Sequence, residues 1–322
     1  MILRKPDFYD SFKCIASRCS DTCCVGWEID VDEASQEAYR KVAGAFGDKL
    51  RENIEDGHFK LRPHDRCPFL DKANLCEIYA HLGEGALCGI CREHPRFVEV
   101  YGDIMEKGLG LCCEEAARLL LAGKGPLVFT SEECDEPEDK LDDDDREIRD
   151  QVLYEREQIL ETLADTSMPF EERLHQAFGY TGEQPLAPLK NVGALIELLE
   201  KLESYGPAWD EALARIKERV DAAGAENATT LEDEGYFSET ESARLLAYLV
   251  YRHYAKCLME GREQGKLMFA LFFWNLARFF TRELAGNATD AQTIKINAVK
   301  MLSKQLEYSE EIMKLVEISL DD

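Results

Sequence analysis

The spacing of hydrophobic positions divides the chain into two unequal parts. In the longer, C-terminal part, hydrophobic residues recur every three or four positions, which is the period of an amphipathic helix. This period predicts helices over about residues 147–165, 169–178, 189–204, 207–224, 239–260, 262–285 and 289–318. Prolines punctuate the region, and no segment alternates as a strand does. The sequence therefore predicts an all-helical domain over residues 150–322.

The first part of the chain, residues 1–125, has shorter hydrophobic segments separated by frequent turn residues. Asp32 is placed to cap a helix that continues to about Glu55. Two runs of β-forming residues within 97–107 flank a Gly-Asp pair at 102–103, which predicts a β-hairpin. The predicted fold class is therefore mainly α, with a loop-rich, cysteine-rich N-terminal module that contains short strands and a hairpin, followed by an all-helical C-terminal domain.

Between these parts, residues 126–149 are predicted as an acidic linker. Acidic side chains dominate from residue 131 onward and include four consecutive aspartates at 142–145. Like charges repel one another and extend a chain, so such a segment has little tendency to pack. A clamp for a basic peptide is the other interpretation of the same segment.

The composition is typical of a soluble globular protein, with 45% hydrophobic and 32% charged residues in a chain of 322. The most hydrophobic stretch, residues 267–280, is shorter than the roughly 20 residues that a membrane-spanning helix needs. It also contains Asn275 and Arg278, so we interpret it as a buried core helix. The N-terminus lacks the pattern of a secretory signal peptide, and we expect the protein in the cytoplasm.

The formal net charge of −26, from 64 acidic and 38 basic residues, limits the classes of partner. Contacts with phosphate groups need a basic surface, so this charge argues against nucleic acid and anionic membranes as partners. A strongly acidic body attracts basic partners, and a protein surface with exposed lysines would fit. The simpler interpretation is that the acidic residues keep the chain in solution.

Ten of the twelve cysteines lie before residue 114. They are Cys14, Cys19, Cys23, Cys24, Cys67, Cys76, Cys88, Cys91, Cys112 and Cys113. A cytoplasmic chain of this length does not need disulfides to fold, so clustered cysteines predict metal ligands or catalytic thiols. Four thiolates complete either a tetrahedral zinc site or a [4Fe–4S] cluster, and the pattern does not choose between them. Buried, unreactive thiols are the alternative.

The spacing of the cysteines supports metal binding. Cys88 and Cys91 form a C-x2-C pair, in which a tight turn can direct both sulfur atoms to one ion. Cys19 and Cys23 have the i, i+4 spacing that places two side chains on one face of a helical turn. Adjacent Cys23 and Cys24 point in different directions, so we expect one to bind a metal while the other packs, hydrogen-bonds or serves a second site.

Other groups near the cysteines are further candidates. Cys112 and Cys113 lie at a predicted helix N-terminus, where the helix dipole and free amides should lower a thiol pKa. Four histidines near cysteines in the sequence are candidates to complete a mixed cysteine and histidine site. They are His58, His64, His81 and His94. We interpret His175 and His253 as ordinary helix residues, and no P-loop, HExxH or GxSxG motif occurs.

A set of short motifs runs through the first 121 residues. In order, they are Phe12-x-Cys14, Cys19-x3-Cys23-Cys24-x-Gly26-Trp27-x-Ile29, Cys67-Pro-Phe-Leu70, Leu75-Cys76-x-Ile78, Leu82-Gly83-Glu84, Cys91-x3-Pro95-Arg96 and Cys113-x-Glu-Ala-Ala-Arg118. Together they resemble the flagellin lysine-N-methylase family, which is related to a broader group of short CxxCxxCC proteins proposed to chelate zinc or iron. The helical remainder of the chain is compatible with that family but carries no motif of it.

The resemblance implies methyl transfer from S-adenosylmethionine to lysine side chains of flagellin, with an iron–sulfur cluster. It also implies eight metal ligands, because the family's cysteines correspond to Cys14, Cys19, Cys23, Cys24, Cys67, Cys76, Cys91 and Cys113. Cys88 and Cys112 stand where the family leads us to expect a small polar residue, so they look like additions. No catalytic residue and no cofactor-binding residue is identified.

Methyl transfer to lysine sets one chemical requirement. A protonated lysine is not a nucleophile, so a base or a desolvated pocket must lower its pKa. The candidate bases near the cysteine motifs are Glu93, Tyr101, Glu114 and Glu115. Arg96 and Arg118 could each pair with a carboxylate, either of the cofactor or of the protein.

Two other function classes fit the same cysteines. In the first, zinc staples a loop-rich, non-catalytic module that binds a partner protein. In the second, Cys88 and Cys91 form a redox-active dithiol, although no thioredoxin-like βαβ pattern surrounds them. Iron content separates the cluster enzyme from the zinc module.

Overall fold

The computed structural model of this protein describes residues 1–20, 22–179, 192–204, 206–223, 236–285, 290–308 and 313–314. The strands are β1 (Ile2–Pro6), β2 (Ile54–Glu55), β3 (His58–Phe59), β4 (Arg96–Tyr101), β5 (Ile104–Leu109) and β6 (Phe129–Glu133). The α-helices are α1 (Glu33–Arg40), α2 (Gly44–Glu52), α3 (Glu77–Leu82), α4 (Gly89–Glu93), α5 (Glu114–Leu121), α6 (Asp143–Ala164), α7 (Phe170–Phe178), α8 (Val192–Lys201), α9 (Pro207–Ala223), α10 (Glu239–His253), α11 (Cys257–Glu260), α12 (Glu263–Ala285) and α13 (Ala291–Leu306). The fold is mainly α, with its strands in the N-terminal part, which confirms the predicted fold class.

A four-stranded sheet in the order β4-β5-β1-β6 joins segments that are far apart in the sequence. β4 and β5 form the predicted antiparallel hairpin, in which Tyr101 pairs with Ile104 across the turn. Gly102 adopts a φ of +69° in this turn, a conformation that glycine tolerates best. β1 pairs in parallel with β5 and antiparallel with β6, so the N-terminal residues form a central strand.

The acidic segment 126–149 contains two regular elements. β6 pairs with β1 over its full length, and α6 begins within the aspartate run. The side chain of Asp142 caps α6 by accepting a hydrogen bond from the backbone N–H of Asp145. Acidic side chains in a first helical turn are stabilised by the helix dipole, so like-charge repulsion does not keep this segment unstructured as we expected. The domain boundaries at its two ends stay a prediction.

The single helix predicted from Asp32 onward is wrong. Asp32 does cap α1, because its side chain accepts a hydrogen bond from the Ser35 N–H at 2.8 Å. The chain then breaks before α2, where Gly44 adopts a φ of +77°. Gly47 packs so tightly that an added Cβ atom would lie 1.9 Å from the Val42 carbonyl oxygen. Glycine is unfavourable within a helix, and here two short helices replace the predicted long one.

The C-terminal helices lie within a few residues of their predicted positions wherever the structure describes them. The helix predicted over 239–260 is divided into α10 and α11 by a 3₁₀ turn at Tyr254–Lys256. The predictions at 189–204 and 289–318 extend in part beyond the described residues. The stretch 267–280 lies in α12, and most of its side chains are buried, so it is the predicted core helix. No helix among the described segments is long and apolar enough to cross a membrane.

Buried hydrophobic residues form two clusters. The larger core combines α5 and parts of the sheet region with the C-terminal helices. The small core lies entirely in the N-terminal part and consists of Ile29, Val31, Tyr39, Leu50, Phe59, Cys67, Phe69, Leu70, Ile78 and Cys88. Two members of the small core are cysteines, and three further cysteines pack against it.

Buried ion pairs connect the sheet to the helices. Arg156 on α6 is 0% exposed, and its Nη1 donates to Oε2 of Glu106 on β5 at 2.8 Å. Arg244 on α10 is also buried, and its Nη2 donates to Oδ1 of Asp7 at 2.9 Å. The first contact joins β5 to α6, and the second joins the residue after β1 to α10. The sheet therefore packs with the helices around a shared core.

Candidate metal centre

Five cysteines, which we call the core cysteines, belong to the small core or pack against it. They are Cys24, Cys67, Cys76, Cys88 and Cys91. Backbone hydrogen bonds bring their segments together, since the Cys67 N–H donates to the Cys24 carbonyl at 2.8 Å. Cys76 forms a β-bridge with Leu70 and is the N-cap residue of α3. Segments distant in sequence are therefore held side by side by backbone pairing.

The C-x2-C pair brings its two thiols together. Cys88 is the N-cap residue of α4, and Cys91 follows within that helix. Cys91 donates a hydrogen bond to the Cys88 sulfur, which lowers the pKa of Cys88 despite its burial. The same hydrogen bond, together with burial, raises the pKa of Cys91. Burial is the main cause that raises the pKa of Cys67 to about 12; a backbone hydrogen bond at Phe69 opposes it, and nearby thiolate charges add to it.

The prediction that the adjacent side chains of Cys23 and Cys24 point in different directions is wrong. Their thiols hydrogen-bond to each other, and donation by Cys23 lowers the pKa of Cys24 to about 7. The hydrogen bond and burial raise the pKa of Cys23, and thiolate charges at Cys24, Cys14 and Cys113 raise it further. Cys24 packs against the small core, whereas Cys23 also interacts with a second set that includes Cys14 and Cys113.

This second set, which we call the loop cysteines, lies where the loop before Gly26 meets the start of α5. Its members are Cys14, Cys19, Cys23 and Cys113. Cys113 is the N-cap residue of α5. The Sγ atom of Cys19 lies 3.6 Å from Oε2 of Glu114, and the Ser20 N–H donates to the same oxygen at 2.9 Å. Glu114 therefore fastens the loop to α5 beside Cys113.

The helical-turn interpretation of Cys19 and Cys23 is wrong. Cys19 has an extended backbone, with φ −66° and ψ 131°, where it closes a short 3₁₀ helix at Ala16–Arg18. The i, i+4 argument therefore does not apply to this pair. The contact of Cys19 with Glu114 comes from the fold of the loop and not from helical spacing.

The pKa prediction for the thiols at the start of α5 is also wrong. Burial raises the pKa of Cys112 to about 12, although a hydrogen bond with Tyr308, at 2.9 Å between Sγ and Oη, acts in the opposite direction. Burial likewise raises the pKa of Cys113, against hydrogen bonds from the backbone amides of α5. Desolvation thus outweighs the helix N-terminus at both positions.

Within the described residues, no three cysteine, histidine or carboxylate side chains are arranged to hold one metal ion. The twelve cysteines all lie in that part of the chain, and no disulfide joins them. In each of two close pairs, Cys23 with Cys24 and Cys88 with Cys91, one thiol has a lowered pKa and its partner a raised one, so each pair loses one proton readily. Metal binding would have to draw further sulfur atoms towards one of these pairs.

Two lysines one turn apart on α13 hold the cysteine-bearing loop from the other side. Lys300 Nζ lies 3.5 Å from Oε2 of Glu114 and donates to Oγ of Ser20 at 3.2 Å. Lys304 Nζ donates to the carbonyl of Val25 at 3.2 Å. These contacts make α13 part of the site. A pair of i, i+4 lysines within an acidic chain is a weak sign of these contacts in the sequence.

Trp27 anchors the same loop through aromatic contacts. Its ring lies 5.9 Å from the ring of His94 and 5.3 Å from that of Tyr308, centroid to centroid. Its Nε1 donates to the Cys23 carbonyl at 2.8 Å, and Lys304 Nζ lies 4.9 Å from its centroid. Burial, helped by the charge of Lys304, lowers the pKa of His94 to about 4, so this ring is neutral at pH 7.

Two other candidate histidines have partners that are not thiols. His58 Nε2 lies 2.9 Å from Oδ1 of Asp30. The ring of His81 stacks on Phe46 at a centroid distance of 4.4 Å. His64 is exposed in a turn with a φ of +65°. These surroundings are those of structural or solvated histidines.

His253, interpreted as an ordinary helix residue, belongs to a buried polar network. Its Nε2 lies 2.7 Å from Oε1 of Glu307, which also lies 3.3 Å from Nη1 of Arg252. Burial lowers the pKa of His253 to about 4. Although burial opposes it, the charge of Arg252 and the bond from His253 lower the pKa of Glu307 to about 2. His253 and Glu307 lie 54 positions apart in the sequence, so no local sequence pattern indicates the network.

The candidate bases closest to the loop are poorly suited to that role. Glu115 forms a two-point ion pair with Arg118, with both N···O distances 2.7 Å. Burial opposes it, but hydrogen bonds from Ser20 lower the pKa of Glu114. Tyr101 is largely enclosed, and burial raises its pKa. A carboxylate with a lowered pKa is a weak base, and a tyrosine with a raised pKa keeps its proton at neutral pH and so has no free site to accept another.

The remaining candidates also have local partners. Glu93 Oε1 lies 3.5 Å from Nε of its neighbour Arg92. The guanidinium of Arg96 lies 5.2 Å from the ring centroid of Phe12. Both contacts explain the side-chain positions without a cofactor.

Comparison with known proteins reveals relatives in Salmonella. The chain is 29% identical over 130 residues to the flagellar biosynthetic protein FliU of Salmonella muenchen, a match that covers 36% of this chain and 75% of FliU. It is 32% identical over 127 residues to proteins named lysine-N-methylase from Salmonella typhimurium and Salmonella choleraesuis, covering 36% of this chain and 32% of each relative. The chain is related to these lysine-N-methylases. The resemblance seen in the motifs is thereby confirmed over about a third of the chain.

The matches cover only part of this chain and only part of each relative. The matched part spans about a third of the length of the two lysine-N-methylases. No protein-family model and no solved structure matches the chain. The relationship therefore holds for about a third of this chain and does not by itself establish the activity of the whole protein.

Proposed function

We propose that this protein is a cytoplasmic methyltransferase that moves a methyl group from S-adenosylmethionine to exposed lysines of a flagellin-like protein. The observation that carries the proposal is the 32% identity to proteins named lysine-N-methylase. The flagellar name of the FliU relative supports a flagellar substrate. The net charge of −26 also supports a lysine-bearing partner, because an acidic body attracts a basic surface.

The proposal includes an iron–sulfur cluster bound by cysteines of the N-terminal part. The gathering of five cysteines in and around the small core supports thiolate ligation there. When bound, such a cluster would supply electron transfer at the site. The residues of the chain itself would keep the loop closed, through Glu114 and the two lysines of α13 that contact it.

The acceptor lysine must lose its proton before it can attack a methyl group. The carboxylates nearest the loop have their own partners, so we assign deprotonation to the electrostatic surroundings. Lys300 and Lys304 place two positive charges at the loop. An incoming lysine beside them would have a lowered pKa, because like charges disfavour its ammonium form.

A zinc-stapled, non-catalytic module is the second candidate function. The observation that favours it is the burial of two thiols inside the small core, where Cys67 is 5% and Cys88 is 0% exposed. A closed tetrathiolate zinc site typically stabilises a small core of this kind. Partner binding would then be the role of the surrounding surface.

Metal analysis combined with a transfer assay separates the two candidates. Protein purified without oxygen is analysed for iron, acid-labile sulfide and zinc, then incubated with methyl-labelled S-adenosylmethionine and flagellin. The enzyme proposal predicts a brown, iron-containing protein that labels flagellin, whereas Cys67→Ser loses iron and labelling. Cys134→Ser, in a cysteine outside both groups, is the matched control and should retain both. A colourless protein with stoichiometric zinc and no labelling would support the zinc module.

A further inference from the structure

The two edges of the four-stranded sheet differ in the side chains that they expose. β4 and β6 are the edge strands, since the sheet order is β4-β5-β1-β6. An edge strand presents backbone groups that could pair with another chain, and natural proteins usually protect such edges with charged side chains or proline. β6 follows that rule, because Glu132 and Glu133 lie on it and are exposed. β4 exposes valines instead, with Val98 49% and Val100 37% accessible.

The outer backbone groups of β4 have no partner strand in the described part of the chain. The Gly110 N–H donates to the Pro95 carbonyl at 2.7 Å, so Pro95 faces β5. In an antiparallel pair the hydrogen-bonded positions alternate, and the register of β4 with β5 continues unbroken to the turn. The N–H and C=O groups that point away from the sheet are therefore those of Arg96, Val98 and Val100.

The two charged side chains of β4 have contacts of their own. The guanidinium of Arg96 lies 5.2 Å from the ring centroid of Phe12, and Oε1 of Glu99 lies 3.6 Å from Nζ of Lys256. Glu99 also lies on the opposite face of the strand from the two valines, because successive side chains alternate. The exposed part of β4 is therefore an uncharged edge of β-branched residues, to which a further strand can add.

We propose that β4 is the docking edge for the protein substrate, and that an extended, lysine-bearing segment pairs with it as a fifth strand. This inference rests on the proposed function and names the way in which the substrate is held. Main-chain hydrogen bonds supply the affinity, and apolar side chains of the segment cover Val98 and Val100. A second copy of this chain is a poor occupant, since two bodies with a net charge of −26 repel each other.

Acidic residues at one end of β4 complement a lysine-bearing segment. The Asp139 N–H donates to the carbonyl of Gly102, in the turn between β4 and β5, at 3.1 Å. Further acidic side chains before and after Asp139 are exposed, and they attract basic groups of an incoming strand. They are Asp135, Glu136, Glu138, Asp143, Asp144 and Asp145.

The other end of β4 lies at the cysteine-bearing loop. His94, two residues before the strand, has its ring 5.9 Å from that of Trp27, centroid to centroid. Arg96 begins the strand and contacts Phe12, two positions before Cys14. A strand of this length spans about 20 Å. A segment paired along β4 therefore extends from the acidic residues to the loop, where the proposed function places the acceptor lysine.

Proline substitutions at the two edges test the docking strand in the full-length protein purified without oxygen. Monomeric flagellin is the probe, and its affinity is measured by isothermal titration calorimetry. Val98→Pro removes an outward N–H but no hydrogen bond to β5, and should weaken flagellin binding about tenfold. The matched control is Ser131→Pro, whose N–H also points outward, since Val128 and Cys134 hydrogen-bond to residues flanking β1. This control should bind flagellin as the wild type does.

A second pair of variants keeps every backbone amide. Val98→Lys combined with Val100→Lys places two charges on the edge that repel a lysine-bearing strand, and should weaken binding at least as much as the proline. Val128→Lys, at an exposed valine outside β4, should leave the affinity unchanged. Circular dichroism identifies any variant that fails to fold. If Val98→Pro does so, the lysine variant decides the question.

Hydrogen exchange of the backbone amides locates the bound segment directly. Flagellin should slow exchange at Arg96, Val98 and Val100 and leave the outward amides of Phe129 and Ser131 unchanged. Protection confined to β6, or wild-type affinity in the folded β4 variants, would overturn the proposal.

The methyl-transfer assay separates this proposal from the proposed function. The β4 variants should raise the KM for flagellin far more than they lower kcat. A wild-type KM in these variants would overturn the docking edge and leave the methyltransferase standing. Flagellin that binds at β4 and receives no methyl group would support the docking edge and overturn the methyltransferase. A wild-type protein that neither binds nor methylates flagellin would overturn both.

Discussion

Removal of the Arg156 guanidinium tests how much the ion pair between β5 and α6 contributes to the free energy of unfolding. Arg156 is 0% and Glu106 is 1% exposed, and two N–H···O contacts join them. In Arg156→Met the Glu106 carboxylate stays buried, with Arg4 4.0 Å away. Breaking a buried pair in this way costs about 3–5 kcal/mol of unfolding free energy. With a urea m value of up to about 3 kcal/mol/M, the unfolding midpoint should fall by about 1 M or more.

A double-mutant cycle with Glu106→Leu isolates the pair. The double variant should recover at least about 2 kcal/mol relative to the sum of the single losses, because it leaves no uncompensated buried charge. Urea unfolding followed by circular dichroism provides the measurement. The exposed pair between Lys217 and Glu200 supplies the control, and Lys217→Met should leave the midpoint unchanged. Wild-type stability of Arg156→Met, or strictly additive losses, would show that this buried ion pair does not stabilise the protein.

Three further predictions follow from the structure. Gly47→Ala forces a Cβ atom against a backbone carbonyl and should lower the free energy of unfolding in urea by about 1–3 kcal/mol. The control Gly85→Ala, with no atom within 4 Å of the added Cβ atom, should leave it unchanged. Equal effects of the two substitutions would show that Gly47 is not tightly packed. On acidification the unfolded chain binds protons first, because folding lowers the pKa of His253 from 6.5 to about 4 and that of Glu307 from 4.5 to about 2. The free energy of unfolding should therefore decrease from pH 6.5 to 4 as His253 of the unfolded chain is protonated, and from pH 4.5 to 2 as Glu307 is. A free energy of unfolding that is constant from pH 7 to 4, or that depends on pH in the same way in His253→Gln, would exclude this role of His253. Lys300→Met removes the ion pair with Glu114, in which the side chains are 10% and 19% exposed. Hydrogen exchange of the backbone amides in the cysteine-bearing loop should become about tenfold faster. Unchanged exchange rates would show that α13 does not hold the loop.

Features encoded locally were predictable from the sequence. The hairpin at Gly102 follows from turn chemistry and flanking β-forming residues, and the structure has it at the expected residues. The helices after residue 143 follow from their hydrophobic period. The approach of Cys88 to Cys91 follows from C-x2-C spacing and one short helix.

Features that depend on distant segments were not predictable. Lys300 meets Ser20 across 280 positions of sequence, and no periodicity reports such a contact. The pKa of Cys113 was predicted with the wrong sign because the helix N-terminus is visible in sequence while burial is not. The aspartates of residues 142–145 were interpreted by their mutual repulsion, yet their place at the start of α6 decides their role.

Mass spectrometry of the substrate shows directly whether this protein methylates lysines of flagellin. Iron-loaded protein prepared without oxygen is incubated with S-adenosylmethionine and flagellin, and flagellin peptides are mapped for methylated lysines. We expect methyl groups on surface lysines with wild-type protein and with Cys134→Ser, and none with Cys67→Ser. Iron-loaded wild-type protein that leaves every lysine unmodified would contradict this expectation.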